Sequence, residues 1–486
     1  MLATRPVGSG ATTRTISAIF GAARSCGDSL PVAVHSVFAQ GWGELSLGSV
    51  LARAGEGTIR EIVDRRDAVV KIFHPELKDL SEKHDKVAAM VNSRPPGATQ
   101  PDGFVVLTSP TFLIDEPGGA VGYTMPRIDT STAVEIHMVS NPSNRTEPAS
   151  TAPQWPRHIT WQHLVTVASN LCLAVQTVHD TRAVIGDFQE RNILVSDTAR
   201  VTLVDCDSMQ FTDTRGRQYL CGVARAEFTA PELAGLDLRI SPRDKSSDLF
   251  ALAVHIHLLL MGGNHPFLRG NWTGPGEQPS AMTLAKQGQW AGGPSSQLRV
   301  HPLAPSVSFL PDDLLRLFAR AFTVGAHDPN ARPTADEWRH ALLAVRVTQC
   351  QRGHQIPAGG RGCPWCSISG ERTHRRDVRK TAAAALSAQQ ISWFAPPSTP
   401  SRPAANPTRR RSTSTGGAQP ATSNATTPRP RRAMSSAQRA LLWAAGVFGV
   451  LAILVAILIV LNAQDRADWH TPPPTVTNTI TRTTPF

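Results

Sequence analysis

The sequence has few cysteines, no apolar run near its N-terminus and no net charge outside one segment. Seven cysteines in 486 residues do not suggest a disulfide framework. Residues 1–25 lack the continuous apolar stretch of a signal peptide, so none is expected. The formal charge is +11, but residues 371–439 carry all of it, with 13 Lys or Arg against two acids. The rest is neutral overall, so no nucleic-acid partner is expected.

One long hydrophobic run lies near the C-terminus. Residues 440–461 contain no charged side chain, and as a helix they would reach about 33 Å, enough to cross a bilayer core. Four arginines lie just before this run: Arg429, Arg431, Arg432 and Arg439. The positive-inside rule then places the N-terminal bulk in the cytoplasm. We predict a single-pass, membrane-anchored protein with a transmembrane helix over residues 440–462 and an extracytoplasmic tail over residues 463–486.

The segment before this run has low sequence complexity. Residues 371–439 are rich in Ala, Ser, Thr, Pro and Arg, a composition that buries too little apolar area to offset the entropy of ordering. We predict a disordered basic linker there. Its Ser and Thr residues are candidate phosphoacceptors, and a plain spacer is the alternative.

Three of the seven cysteines cluster with a histidine. Cys350, His354, Cys363 and Cys366 have the spacing C-x3-H-x8-C-x2-C within a Gly-rich stretch. Thiolates and an imidazole suit tetrahedral Zn²⁺, and four protein ligands indicate a structural site without an open position. We predict a zinc knuckle over residues 347–370; four unrelated loop residues are the alternative.

Two short motifs place an acid, an asparagine and a second acid at a spacing typical of phosphoryl transfer. They are IGDFQERNILV, with Asp187 and Asn192, and VDCDS, with Asp205. In protein kinases a catalytic-loop Asp accepts the substrate hydroxyl proton, while an Asn and a second Asp hold magnesium. The run between the motifs predicts two strands around a polar turn, which would return Asp205 to the side of Asn192. A hairpin with ordinary surface acids is the alternative interpretation.

Motifs upstream resemble the nucleotide-binding part of protein kinases. GSVLARAGEGTIREIV followed by AVVKIF is similar to the Gly-rich loop and the next strand, which implies that Gly55 and Gly57 cover the phosphates and Lys71 pairs with them. GYTMPRI, with Met125, resembles the strand that leads to the adenine site.

Motifs downstream complete an ordered set. FTAPEL contains Glu232, SSDLFALAV contains Asp248, and ARPTADEW contains Arg332. Residues 45 to 345 together resemble a bacterial kinase family named for helix-hairpin-helix proteins with a protein-kinase domain, although no helix-hairpin-helix segment is visible here. The resemblance implies that Asp248 anchors the catalytic-loop backbone and that Arg332 pairs with Glu232.

The resemblance also implies a fold and a set of ligands. The expected fold class is α+β, with a bilobal protein-kinase-like domain over residues 41–346 after an N-terminal extension of residues 1–40. The implied cofactors are ATP and Mg²⁺, and the implied partners are protein substrates and a cognate Ser/Thr phosphatase. The acid that would pair with Lys71 from the next helix is assigned to Glu82, with Asp85 as the alternative.

Four positions depart from the kinase pattern. Gly186 occupies the place of the catalytic-loop Arg, so activation through a link from that Arg to a phosphorylated segment is not expected. Gln189 stands where a Lys often follows the base, which removes a charge near the transferring phosphate. Cys206 and Asp207 replace the Phe and Gly of D-F-G.

Three function classes fit these observations. The first is a protein serine/threonine kinase in bacterial signalling, with Asp187 as the base. The second is a pseudokinase scaffold or nucleotide sensor, because Gln189 and the Asp-Cys-Asp segment could leave binding without turnover. The third is a small-molecule phosphotransferase, whose H-G-D loops the motif G-D-x4-N resembles. The motifs around Glu232, Asp248 and Arg332 weigh against this third class.

Overall fold

The computed structural model describes residues 36–116 and 121–393. The first 35 residues of the predicted N-terminal extension lie outside the described residues. The same holds for the predicted linker beyond residue 393, the predicted transmembrane helix and the predicted tail. The first strand begins at Ser36, within the predicted extension of residues 1–40.

Six strands and one helix form the first part of the described chain. Their bounds are β1 Ser36–Ala39, β2 Gly43–Arg53, β3 Gly57–Ile62, β4 Arg65–Phe73, α1 Leu80–Val91, β5 Phe112–Asp115 and β6 Val121–Pro126. The strands are antiparallel and close into a barrel in the order β1, β2, β3, β4, β6, β5.

Side chains along β4 alternate between the inside of the barrel and its outer face, which packs against α1. Successive side chains of a strand point to opposite faces. Val70 packs with apolar residues of β1, β2 and β5, whereas Val69 and Phe73 pack in a second cluster with Val87 of α1. Lys71 shares the face of Val69 and Phe73, so the alternation directs its ammonium group out of the barrel.

The second part of the chain is mainly helical. Its elements are β7 Val134–Glu135, α2 Ile136–Ser140, α3 Pro142–Thr146, α4 Trp161–His179, β8 Ile193–Val195, β9 Val201–Leu203, β10 Phe211–Thr212, β11 Gln218–Tyr219, α5 Lys245–Leu260, β12 Asn271–Trp272, α6 Ala281–Lys286, β13 Leu298–Arg299, α7 Asp312–Phe322 and α8 Ala335–Leu343. Helix α4 packs on α5 and α8, and these helices bury the largest apolar cluster of the described chain. The apolar residues of α4 recur at helical spacing and are buried, including Leu164, Ala168, Leu171 and Val175.

A small hairpin and a long helix follow: β14 Val347–Gln349, β15 Gln355–Pro357 and α9 Pro364–Trp393. Residues 371–393 were predicted to be disordered linker, and the structure places them in α9, so that boundary is corrected. The physical reason is local, because the run TAAAALSAQQ has high helix propensity. The i,i+4 pair between Glu371 and Arg375, at 2.6 Å, adds to it.

The predicted membrane localisation is contradicted. None of the helices within residues 36–116 and 121–393 is both long enough and apolar enough to cross a bilayer. Helix α9 has sufficient length, but it carries seven charged side chains between residues 371 and 380. The predicted span over residues 440–462 lies outside the described residues. Because none of the described helices supports a membrane span, the prediction of a single-pass, membrane-anchored protein is corrected.

Candidate active site

The hairpin of β8 and β9 brings two of the predicted magnesium ligands to one end of the same structure. Ile193 pairs with Leu203, and the amide of Val204 donates to the carbonyl of Asn192 at 3.0 Å. Asn192 and Asp205 therefore lie at neighbouring ends of the two strands, as the run between the motifs predicted. The backbone of Asp205 is left-handed, with φ of +58°, a conformation that Asp adopts more readily than most residues.

Asp187 is held beside Asn192 by hydrogen bonds. Asn192 Nδ2 donates to Asp187 Oδ2 at 3.0 Å and to its carbonyl at 2.9 Å, and Gln189 Nε2 donates to the same Oδ2 at 2.6 Å. Gln189 thus orients the carboxylate from the position at which the kinase pattern often has a Lys. Asp187 is also buried. The two donors therefore hold its carboxylate in one direction.

A carboxylate from the central helix fixes the backbone before Asp187. Asp248 of α5 accepts from the amides of Ile185 at 2.7 Å and Gly186 at 3.0 Å, and His179 Nε2 lies 3.0 Å from it. Gly186 has a φ of +75°, and a Cβ there would lie 2.7 Å from Cys221 Sγ. A side chain at this position would therefore clash as well as strain the backbone. This is the physical reason why the Arg of the kinase pattern is absent.

Lys71 meets two carboxylates. Its Nζ lies 2.8 Å from Asp205 Oδ1 and 2.7 Å from Asp207 Oδ2. Burial opposes the charged ammonium, but the nearby carboxylates of Asp207 and Asp205 outweigh burial and raise the pKa of Lys71. Burial also works against the charged form of Asp207, yet the charge of Lys71 prevails and lowers the pKa of that carboxyl. The pKa of Asp205 is raised, chiefly because its carboxylate is partly withdrawn from solvent.

The predicted phosphate loop is the turn between β2 and β3. Gly57 begins β3, and a Cβ there would lie 2.5 Å from the carbonyl of Ile72, so only glycine lets the loop pack this closely on β4. Gly55 has open space at its Cβ position. Between them, Glu56 Oε1 lies 2.8 Å from Lys83 Nζ of α1, which ties the loop to that helix. Met125 is buried in β6, opposite Val69.

The structure does not bring the predicted helix acid to Lys71. Glu82 is exposed on α1, and the alternative, Asp85, lies 3.0 Å from Arg217. The pairing expected between Glu82 and Lys71 is therefore not observed. The reason is the phase of the helix, which instead directs Lys86 inward, where its Nζ donates to the carbonyls of Ser208 at 3.1 Å and Leu220 at 3.2 Å.

Asp207, which replaces the Gly of D-F-G, makes contacts that the sequence motifs did not predict. Both oxygens of Asp207 contact Lys71, and Oδ1 also accepts from the hydroxyl of Tyr123 at 2.6 Å. The second acid of VDCDS was the available signal. Its partner Tyr123 could not be predicted, because the register that sets Tyr123 beside Lys71 is not encoded in a local motif.

No protein-family model matches the chain. The chain is 31% identical over 342 residues to protein kinase YegI of Escherichia coli strain K12, an alignment that covers 68% of this chain and 50% of YegI. It is 26% identical over 447 residues to serine/threonine-protein kinase PknA of Mycobacterium tuberculosis strain H37Rv, covering 90% of this chain and 86% of PknA.

The chain has a protein-kinase-like fold. It spans about half the length of YegI. The names of these relatives support a protein-kinase-like family, and they give no support to the more specific helix-hairpin-helix family that the sequence motifs resemble.

The segment that follows Asp207 on this protein-kinase-like fold is anchored at its far end by a buried ion pair. Arg332 Nη1 and Nη2 lie 2.6 and 2.7 Å from the two oxygens of Glu232. The Arg332 side chain is completely buried and also donates to the carbonyls of Gly325 and Ser246. The ion pair implied by the resemblance is therefore present. Arg243 adds a second anchor, because its guanidinium donates to the carbonyls of Cys221 and Val223.

A second cluster lies in the C-terminal hairpin. Cys350, His354, Cys363 and Cys366 offer ligand atoms that all lie within 4.8 Å of one another. Tight turns produce this arrangement: the amide of Cys350 donates to the carbonyl of His354 at 2.9 Å, while Cys363 and Cys366 lie at the start of α9.

The spacing of these atoms matches a tetrahedral ion. Tetrahedral zinc, bonded to sulfur at about 2.3 Å and nitrogen at about 2.0 Å, separates two sulfurs by about 3.8 Å and a sulfur from a nitrogen by about 3.5 Å. The observed separations are 3.8 Å for Cys350 Sγ to Cys366 Sγ, and 3.5, 3.6 and 3.4 Å from His354 Nδ1 to the three sulfurs. The donor set and its geometry therefore fit zinc.

Proposed function

We propose that the chain is an ATP- and Mg²⁺-dependent protein kinase that transfers the γ-phosphate to Ser or Thr residues of protein substrates. The observation that carries the proposal is the convergence at the β8–β9 hairpin. Asn192 is hydrogen-bonded to Asp187 there, and Asp205 is paired with Lys71. The similarity to YegI and PknA, two proteins named as protein kinases, supports the same activity.

Each of these residues has a role in the proposed reaction. Asp187 accepts the proton of the attacking hydroxyl, and Gln189 fixes the direction of its carboxylate. Lys71 binds phosphate oxygens, and the backbone around Gly55 and Gly57 covers them.

Magnesium fits the donors at this end of the hairpin. The Nδ2 of Asn192 is used by Asp187, which leaves its Oδ1 as a ligand atom, and the Asp205 carboxylate supplies a second hard oxygen donor. When bound, Mg²⁺ would neutralise charge on the phosphates.

The proposal is tested by phosphoryl transfer from γ-labelled ATP by the purified full chain, with and without Mg²⁺. A generic Ser- and Thr-containing protein serves as the acceptor. Transfer that requires Mg²⁺ and labels Ser or Thr supports the proposal. Binding of Mg-ATP in a thermal-shift experiment without any transfer would instead favour a nucleotide sensor. The observation that favours this second function is the neutral Gln189 near the base, in place of a cation.

The substitution Asp205→Asn is expected to lower transfer by about 100-fold or more, because the metal loses an anionic ligand. Initial rates over a range of Mg²⁺ concentrations measure the effect, and a higher Mg²⁺ requirement should accompany the slower rate. Asp197→Asn is the matched control, since Asp197 is exposed in the turn of the same hairpin. Unchanged rates and Mg²⁺ dependence in Asp205→Asn would exclude Asp205 as a ligand.

The zinc-knuckle cluster is proposed to hold a structural Zn²⁺ that attaches the hairpin to the helical part of the chain. Gln355, one residue after His354, accepts from the amide of Gln162 in α4 at 2.9 Å. Trp365, between the last two cysteines, packs against Phe309 with ring centroids 6.0 Å apart. An ion that fixes these turns also fixes both contacts.

Metal analysis of the purified chain is expected to find about one zinc per chain, and His354→Ala is expected to lose it. Removal of the ion by a chelator should lower the melting temperature of the wild type and leave that of His354→Ala unchanged. His374→Ala is the control, because His374 is exposed on α9. Full zinc content in His354→Ala would contradict this ligand set.

A further inference from the structure

The side chain of Asp207 is far more enclosed than that of Asp205, two residues before it. It is 3% exposed, compared with 38% for Asp205. Its Oδ1 accepts from Lys71 Nζ at 2.9 Å and from Tyr123 OH at 2.6 Å, and its Oδ2 lies 2.7 Å from the same Nζ. With both oxygens engaged and almost no accessible surface, Asp207 is poorly placed to bind a metal from the cleft. Asp205 keeps the accessible surface needed for that role.

The sheet register places two donors, Lys71 and Tyr123, beside Asp207. Lys71 of β4 and Tyr123 of β6 are register partners, so both side chains leave the same face of the sheet side by side. Asp207 lies in the single 3₁₀ turn Cys206–Ser208 that follows the hairpin. The contact therefore joins the strand-rich part of the chain to the helical part at the point where phosphate would bind.

Helix α1 supplies no carboxylate to Lys71. Glu82 is exposed, and Asp85 pairs with Arg217. The charged side chains that this helix directs inward are lysines: Lys83 pairs with Glu56, and Lys86 donates to carbonyls of the segment after Asp207. Neither acid of α1 contacts Lys71, so the carboxylate that positions this lysine must come from another part of the chain.

We propose that Asp207 is the positioning residue for Lys71, taking the place of an acid on helix α1, and that Tyr123 fixes the direction of Asp207. This inference rests on the proposed kinase function. Asp207 holds the ammonium from its buried side and Asp205 contacts it at 2.8 Å, which leaves one N–H direction for the phosphates. Because Asp207 itself is held by the Tyr123 hydroxyl, the direction of Lys71 is set by two buried groups before the nucleotide binds.

Electrostatics agree with this geometry. Burial alone would favour neutral Lys71, yet the two carboxylates keep its pKa above the ordinary value. Burial likewise raises the pKa of Tyr123, with a further contribution from Asp207, so the phenol stays protonated and remains a donor.

The test compares three variants of the full chain: Asp207→Asn, Tyr123→Phe and Glu82→Gln. Asp207→Asn is expected to lower kcat/KM for ATP by about 100-fold, with at least part of the loss in KM, because Lys71 loses its direction. Tyr123→Phe keeps the ring within its apolar surroundings and should lose roughly 3-fold to 10-fold. Glu82→Gln should stay within about twofold of the wild type, because exposed sites away from partners have small effects.

A readout that a purely structural role would not change is how the loss divides between KM for Mg-ATP and kcat. KM should rise in Asp207→Asn and stay constant in Glu82→Gln, with melting temperatures checked in parallel. If Asp207→Asn does not fold, Tyr123→Phe still tests the kinetic expectation.

Two results would overturn the inference. One is a loss in Glu82→Gln as large as that in Asp207→Asn, which would return the role to helix α1. The other is folded Asp207→Asn and Tyr123→Phe proteins that both transfer phosphate within about threefold of the wild type. If the wild type transfers no phosphate, the proposed function fails. Mg-ATP affinity of the same variants then still tests the positioning of Lys71, with binding about tenfold weaker in Asp207→Asn as the expected result.

Discussion

Phosphoryl transfer by Asp187→Asn is expected to fall by about 100-fold to 10,000-fold, the range over which a positioned general base contributes. The structure makes this a clean substitution. Asp187 accepts hydrogen bonds from Gln189 and Asn192 through a single oxygen, Oδ2. The asparagine side chain keeps one oxygen that can accept the same bonds while it loses the basic lone pair. The local geometry should therefore survive while proton acceptance is lost.

The measurement for Asp187 is the initial rate of labelled-phosphate transfer, with Mg-ATP affinity followed separately by thermal shift. Affinity should stay within about twofold of the wild type, because Asp187 is expected to act on the acceptor hydroxyl. Asp180→Asn is the control, since Asp180 is exposed at the end of α4. A rate equal to that of the wild type would show that Asp187 is not the base.

The second large effect concerns stability. Glu232→Ala is expected to lower the free energy of unfolding by about 3 kcal/mol, because it leaves the guanidinium of Arg332 buried without its counter-charge. This value is at the low end of the range because Arg332 keeps its bonds to the carbonyls of Gly325 and Ser246. Glu232 is 29% exposed, so solvent also screens part of the interaction.

Thermal unfolding measures this prediction, with an expected decrease in melting temperature of roughly 5–10 °C. Arg316→Gln is the matched control, since it breaks the exposed ion pair between Arg316 and Asp313. Exposed pairs contribute at most about 1 kcal/mol. A decrease no larger in Glu232→Ala than in Arg316→Gln would show that the buried pair does not stabilise the fold.

Local patterns predicted several parts of the site well. The β8–β9 hairpin, which brings Asn192 next to Asp205, follows from two β-branched runs around a polar turn. The anchoring of the catalytic-loop backbone by Asp248 and the ion pair of Arg332 with Glu232 were implied by ordered motifs, and both are observed. Each of these features depends on short segments or on an order of motifs that the chain itself displays.

Other features could not be predicted from local sequence. The partner of Lys71 was expected on α1, but the phase of that helix turns Lys86 inward and leaves Glu82 exposed. Residues 371–393 of α9 were assigned to the linker because they were grouped by composition with residues 394–439. The membrane prediction rested on one long uncharged apolar run and the arginines before it, and the described helices give it no support.

The sequence by itself determined which residues are present for chemistry: an acid, an amide and a second acid at kinase spacing, and a four-ligand cluster with zinc spacing. The tertiary structure alone decided which carboxylates meet Lys71. The physical reason is that strand register and helix phase are fixed by packing between distant segments. A shift of one residue in β6 would have turned Tyr123 to the opposite face, away from Asp207.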